Sequence, residues 1–265
     1  MEPDLTLLRE LVEGTPILST HPGRGVPEEW ICQVEAMLGP LPPSYRWWLT
    51  EYGSGTLGGA GIATIAPPNL RVYADDDLTA PWRLADGLLC FYAEPDCGDS
   101  YHFVHPGHRS PGSVASAEWP VVRRDVFGDE EPFAESFAGF LSISVARAAG
   151  LGDGPTPALA RLWRSTPGVL LPNGVMIYGP QIITERNETY EVDDYAPHWV
   201  LIGDDSGGGG LFMRRHGRDR ASVHHLDFGA ISSDTVAASE KVADDLLVWL
   251  RGGAAIPGRQ STLGQ

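Results

Sequence analysis

Residues 41–59 read LPPSYRWWLTEYGSGTLGG. The run Gly53-x-Gly55-x-x-Gly58 has the spacing of a dinucleotide-binding loop. Asp75, Asp76 and Asp77 follow at about the distance where such a loop's acidic partner stands. What precedes the glycines decides the matter. Leu41, Tyr45, Trp48, Leu49 and Tyr52 recur at three- and four-residue steps, which is one apolar stripe on a helix. Pro42 and Pro43 suit its entry, and Ser44 is placed to cap its first turn. Gly53 falls where a helix ends in a left-handed residue. Downstream, GIATIA reads as a short strand that stops at Pro67-Pro68. The order is helix, glycines, strand. A nucleotide loop requires strand, glycines, helix, because the phosphates sit on amides at a helix N-terminus. The carbonyl end of a helix repels them. The expectation is a glycine-terminated helix and no bound cofactor.

Around this stretch, DLTLLRELVE and PEEWICQVEAML read as amphipathic helices. LRVYA, GLLCFYA, YHFV and WPVVRR read as strands, with EPDCGDS as a hairpin turn. EPFAESFAGFLSISVARA closes the first half as a helix. GLGDGPTP is a linker by composition. A weaker copy of the same order follows: the helix ALARLWR, the strand-turn-strand GVLLPNGVMIYG, and the strands ETYEV, HWVLIG, LFMRR and SVHHLDF. A last helix is expected over residues 235–250. GLLCFYAEPDCGDSYHFV matches HWVLIGDDSGGGGLFMRR in kind. The reading is α+β: two units over residues 1–149 and 158–251, a linker over 150–157 and a mobile tail over 252–265. Each unit is a mixed, mostly antiparallel sheet packed against helices. Strict alternation of strand and helix is absent, which argues against a doubly wound sheet.

The formal net charge of −16 lies mainly in the first half. Residues 1–150 hold 21 acidic and 9 basic side chains, and the remainder 14 and 10. Such a field repels nucleic acid and anionic lipid and attracts basic partners. No run approaches the roughly 18 apolar residues of a spanning helix. MEPDLTLLREL lacks the basic start and cleavage site of a signal peptide. Three dispersed cysteines, Cys32, Cys90 and Cys97, suit a reducing compartment. A cytoplasmic protein without direct nucleic-acid or membrane contact is expected.

LPPSYRWWLTEYGSGTLGG resembles the opening signature of the SUKH superfamily, of the Smi/Knr type. The later signature, strand, acidic residue, Gly-Asp, strand, has its counterpart in Asp96, Gly98 and Asp99. LPNGVMIYGPQIITERNETYEVDDYAPHWVLIGDDSGG is similar to the central stretch of these proteins, with a glycine run replacing Gly-Asp. The resemblance implies an α+β fold in two tandem domains, the second shorter and divergent. It also implies a bacterial immunity protein that binds and neutralises a cognate polymorphic toxin, often a nuclease, without catalytic residues. Fungal relatives imply the alternative, a regulatory scaffold.

The residues admit further readings. His102, His105 and His108 offer imidazoles, but their strand and loop positions do not force convergence on a metal, and no metal is assigned. His224 and His225 are adjacent on a strand and point to opposite faces, one expected buried and one exposed. Ser54 and Ser206 lack the strand–elbow–helix context of a nucleophile. A small hydrolase or metal enzyme is therefore the weakest reading, and no catalytic residue is assigned. Two acidic clusters, Asp75 to Asp77 and Asp129 to Glu131, form a landing surface for a basic toxin domain if they share a face. Glu94, Asp96, Asp99, Asp204 and Asp205 join them as turn carboxylates, and Trp47, next to inward-facing Trp48, is a candidate interface anchor.

Overall fold

The computed structural model describes residues 1–65, 84–108 and 116–257. LRVYA and Asp75 to Asp77 lie outside the described residues. The chain divides into two compact units, Met1–Leu141 and Ser142–Gln265. The fold is α+β with antiparallel sheets. Among the described residues no helix is long and apolar enough to cross a membrane.

Unit 1 opens with α1 (Leu5–Gly14), β1 (Leu18–Thr20), α2 (Glu28–Leu38) and α3 (Pro43–Glu51). The stripe read from the sequence is the buried face of α3: Tyr45, Trp48, Leu49 and Tyr52 are fully buried. Gly53 ends the helix with φ +71°. The preceding loop occupies two carbonyls at the C-terminal end of the helix. Gly23 N–H donates to Glu51 O at 3.0 Å and Val26 N–H to Leu49 O at 2.9 Å. A Cβ on Gly25 would stand 1.7 Å from Thr50 O, so only glycine permits this approach. Ser44 is not the cap; Pro42 holds that position. Ser44 is buried, and its N–H and Oγ–H each donate to the Glu118 carboxylate at 2.8 Å.

The glycine stretch is itself a hairpin. β2 (Gly55–Leu57) and β3 (Ala60–Ile62) pair antiparallel, and β1 completes a three-stranded sheet. A second sheet runs as a meander through β4 (Leu88–Ala93), β5 (Ser100–Val104), β6 (Val121–Arg124) and β7 (Glu130–Ala134). The expected helix from Glu131 starts only at α4 (Phe137–Ala148). Pro132 and Phe133 belong to β7 instead. Ser136 caps the helix, its Oγ accepting from Gly139 N–H at 2.8 Å. Phe137 and Phe140 then meet Tyr45, Trp48, Phe91 and Phe103 in one aromatic core. The boundary between the units falls within α4.

Unit 2 contains α5 (Pro157–Trp163), β8 (Val169–Leu170), β9 (Met176–Ile177), α6 (Ile183–Thr189), α7 (Val192–Tyr195), β10 (Trp199–Asp204), β11 (Gly209–Arg214), β12 (Val223–Asp227), α8 (Ser233–Ala238), β13 (Glu240–Ala243) and α9 (Leu246–Arg251). Its sheet has the order β13-β12-β11-β10-β9-β8. Two expectations fail here. ETYEV is no strand but the end of α6, a turn at Tyr190 and Glu191, and the start of α7; α6 buries Asn187, whose amide bonds both N–H and C=O of Leu201 and fastens the helix to β10. The single helix over 235–250 is interrupted by β13, which pairs with β12. Asp245 starts α9 afresh by accepting from Val248 N–H at 2.8 Å.

Candidate functional site

The meander of unit 1 brings two turns to the same end of its sheet. Ser100, just after the β4–β5 turn, pairs with Arg124, just before the β6–β7 turn. The turns touch, for a Cβ on Gly98 would meet Val126 Cγ1 at 2.9 Å. Glu94, Asp96, Asp99, Asp129, Glu130 and Glu131, far apart in sequence, are thus assembled at one edge, with Asp125 beside them. Residues 94–99 and 123–131 together hold seven carboxylates and two guanidiniums.

The carboxylates are not equivalent. Asp99 is buried and accepts from Arg123 Nε at 2.7 Å. The same guanidinium bonds Glu131 across the strands at 2.6 Å, and Arg124 Nε donates to Glu130 at 3.2 Å. Glu94 accepts from Tyr101 Oη–H at 2.6 Å and from the Cys97 thiol at 2.8 Å. Asp96 and Asp129 are exposed. Two apolar side chains that sequence reasoning passed over stand among them: Val126 and Phe127, at 60% and 88% exposure. The signal was available as a Val-Phe pair set between Asp125 and Gly128-Asp129.

Ligand atoms of Glu94, Cys97 and Asp99 lie within 4.8 Å of one another, the one such group close enough to hold a cation among the described residues. Arg123 already supplies positive charge to Asp99. The hydrogen bond to Glu94 holds the Cys97 thiol above its ordinary pKa. Both features weaken the group as a cation site. The three histidines do not converge. His102 is buried and bonds Ser100 Oγ, whereas His105 reaches Leu38 O. Burial, then Arg124, hold the His102 pKa below its ordinary value.

The remaining candidates are placed elsewhere. Trp47 is half-buried on α3, edge-on to Tyr52 and beneath Arg9. Asp204 and Asp205 belong to unit 2, where they build the β10–β11 turn. Asp204 accepts from Tyr178 Oη–H at 2.6 Å and Ser206 N–H at 2.8 Å. Asp205 is buried and accepts from Gly207 N–H, Gly209 N–H and His225 Nε2, all within 2.9 Å. Ser206 gives its hydroxyl to Gly174 O. His224 and His225 do face opposite ways, but both are half-buried, contrary to expectation: one packs on Trp199, the other bonds Asp205. Unit 2 also has a cavity of about 150 Å³ lined by Ile183, Asn187, Val200 and Arg215 among others. Three of its polar side chains are engaged internally, Asn187 with Leu201 and Arg215 with Asp193.

Unit 1 is therefore an α+β domain in which seven carboxylates, two guanidiniums and two exposed apolar side chains stand on paired hairpin turns. Residues 25–143 match the SMI1 / KNR4 family (SUKH-1), which supports the resemblance of this stretch to the SUKH superfamily. The matched span contains α3, the glycine hairpin, the whole meander and the start of α4. No curated protein matches the chain.

Proposed function

We propose that this protein binds and neutralises a basic protein toxin domain stoichiometrically, through the acidic turn end of unit 1, and turns over no substrate. The observation that carries the reading is the adjacency of the two turns, which gathers seven carboxylates against two guanidiniums at one edge. The match of residues 25–143 to a family typical of immunity proteins supports it. A concentrated negative field accelerates association with a basic partner and fixes its orientation. Asp75 to Asp77 extend this surface if they lie near it.

Unit 2 is read as a divergent copy of unit 1. In both, a four-stranded antiparallel meander, β4 to β7 and β10 to β13, leads into a helix capped by an oxygen side chain, Ser136 or Asp245. The first hairpin of each meander carries a register shift.

Capture of partners by the purified protein from its own lysate, at low and high salt, tests the reading. Recovery of one basic domain at low salt, with loss of that domain's activity at equimolar protein, is the expected outcome. Recovery of several housekeeping proteins instead would favour the regulatory scaffold. Chelation should leave the capture unchanged.

A further inference from the structure

The tip of the β6–β7 turn exposes side chains that its surroundings do not account for. Phe127 is 88% exposed and Val126 60%, in a segment otherwise dominated by carboxylates. A lone exposed apolar side chain is ordinary, but here two adjacent ones stand together on a short turn between carboxylates. The turn is firmly built. Asp125 Oδ1 accepts from the N–H groups of Phe127 and Asp129, both at 2.9 Å. Asp125 N–H donates to Asp129 O, and Gly128 N–H to Asp125 O, both at 3.0 Å. Four hydrogen bonds within five residues fix the backbone that carries the ring. Val126 rests against Gly98 and seats the tip on the neighbouring turn. Much of the ordering that binding requires is thus present in the free protein.

We infer that Phe127, with Val126 beside it, is the apolar anchor of the acidic surface, and that its occupant is a basic protein surface with an apolar recess rimmed by lysine or arginine. This rests on the neutralisation reading above and specifies the partner's contact face. Charge complementarity selects the occupant. Asp125, Asp129 and Glu130 flank the ring in sequence, and Glu94 and Asp96 stand on the adjoining turn. A second copy of this chain carries the same −16 and is repelled, as are nucleic acid and anionic lipid. The carboxylates set the association rate and its salt dependence. The ring, once seated in a recess that excludes water, sets the dissociation rate.

The probe is a synthetic peptide of alternating arginine and leucine, titrated into the isotope-labelled full chain at low salt and at about 0.3 M salt. Amide shifts should concentrate in residues 94–99 and 125–131. Phe127→Ser should weaken the peptide at least about tenfold with the salt slope unchanged, and Phe127→Leu should restore most of the affinity. Asp129→Asn with Glu130→Gln should instead flatten the salt slope. An unchanged urea midpoint for Phe127→Ser would show that the variant folds. Shifts centred elsewhere, or equal affinity for Phe127→Ser and wild type, overturn the anchor. If the wild type and Phe127→Ser capture the same basic domain equally from lysate, the anchor fails and neutralisation stands. If the wild type captures no basic domain, neutralisation itself fails.

Discussion

Asp205 and Asp129 are both turn aspartates, and they differ in what their oxygens already hold. Asp205 is buried with three donors on it, whereas Asp129 faces solvent. Asp205→Ala leaves buried amides unpaired and should cost about 2–3 kcal/mol of stability, read as a lower urea midpoint, with partner binding by unit 1 untouched. Glu118 is a different case. Burial raises its pKa, outweighing the two hydrogen bonds from Ser44 that favour the anion. The folded carboxyl then holds its proton to higher pH than the unfolded one. Its contribution to stability therefore falls as pH rises from the unfolded value to the raised folded value. Glu118→Gln should remove that slope in urea midpoints measured across the acid range. Neither role was legible in the sequence, since Ser44 and Glu118 meet only when α3 packs against the segment leading into β6.

At the scale of elements, α3 was legible because its apolar stripe and its terminating glycine both act locally. Gly53→Ala places a Cβ 2.4 Å from Arg24 O at φ +71°. It should destabilise by about 1–3 kcal/mol, measurable by thermal melting. Ser136→Ala should cost about 1 kcal/mol through the lost cap on α4. The misread elements share one cause. Residues 235–250 have a helical pattern, yet β12 offers an edge, and pairing with it extracts Glu240 to Ala243 as a strand. ETYEV has strand-like residues, yet the bond from Asn187 to Leu201 belongs to a helix laid across the sheet. In each case a distant strand outweighed a weak local preference.

At the scale of the whole molecule, the charge of −16 acts on encounter more than on folding. Glu94→Gln, Asp96→Asn and Asp129→Asn together should slow association with a captured basic partner by about tenfold at low salt. The gap to wild type should narrow as salt screens the field, with stopped-flow mixing as the measurement. An unchanged association rate would move the landing surface elsewhere, for instance to Asp75 to Asp77.

By itself the sequence determined the α3 helix and its glycine stop, the antiparallel hairpins and the acidic balance, because these follow from short-range periodicity, turn chemistry and counting. Only the tertiary structure decided which carboxylates are available and where they stand. Pairing of Ser100 with Arg124 brings two distant turns together, Arg123 and Arg124 neutralise part of the acidic set, and Phe127 is left bare at the tip. Strand register between segments more than twenty residues apart sets those relations, and composition carries no record of it.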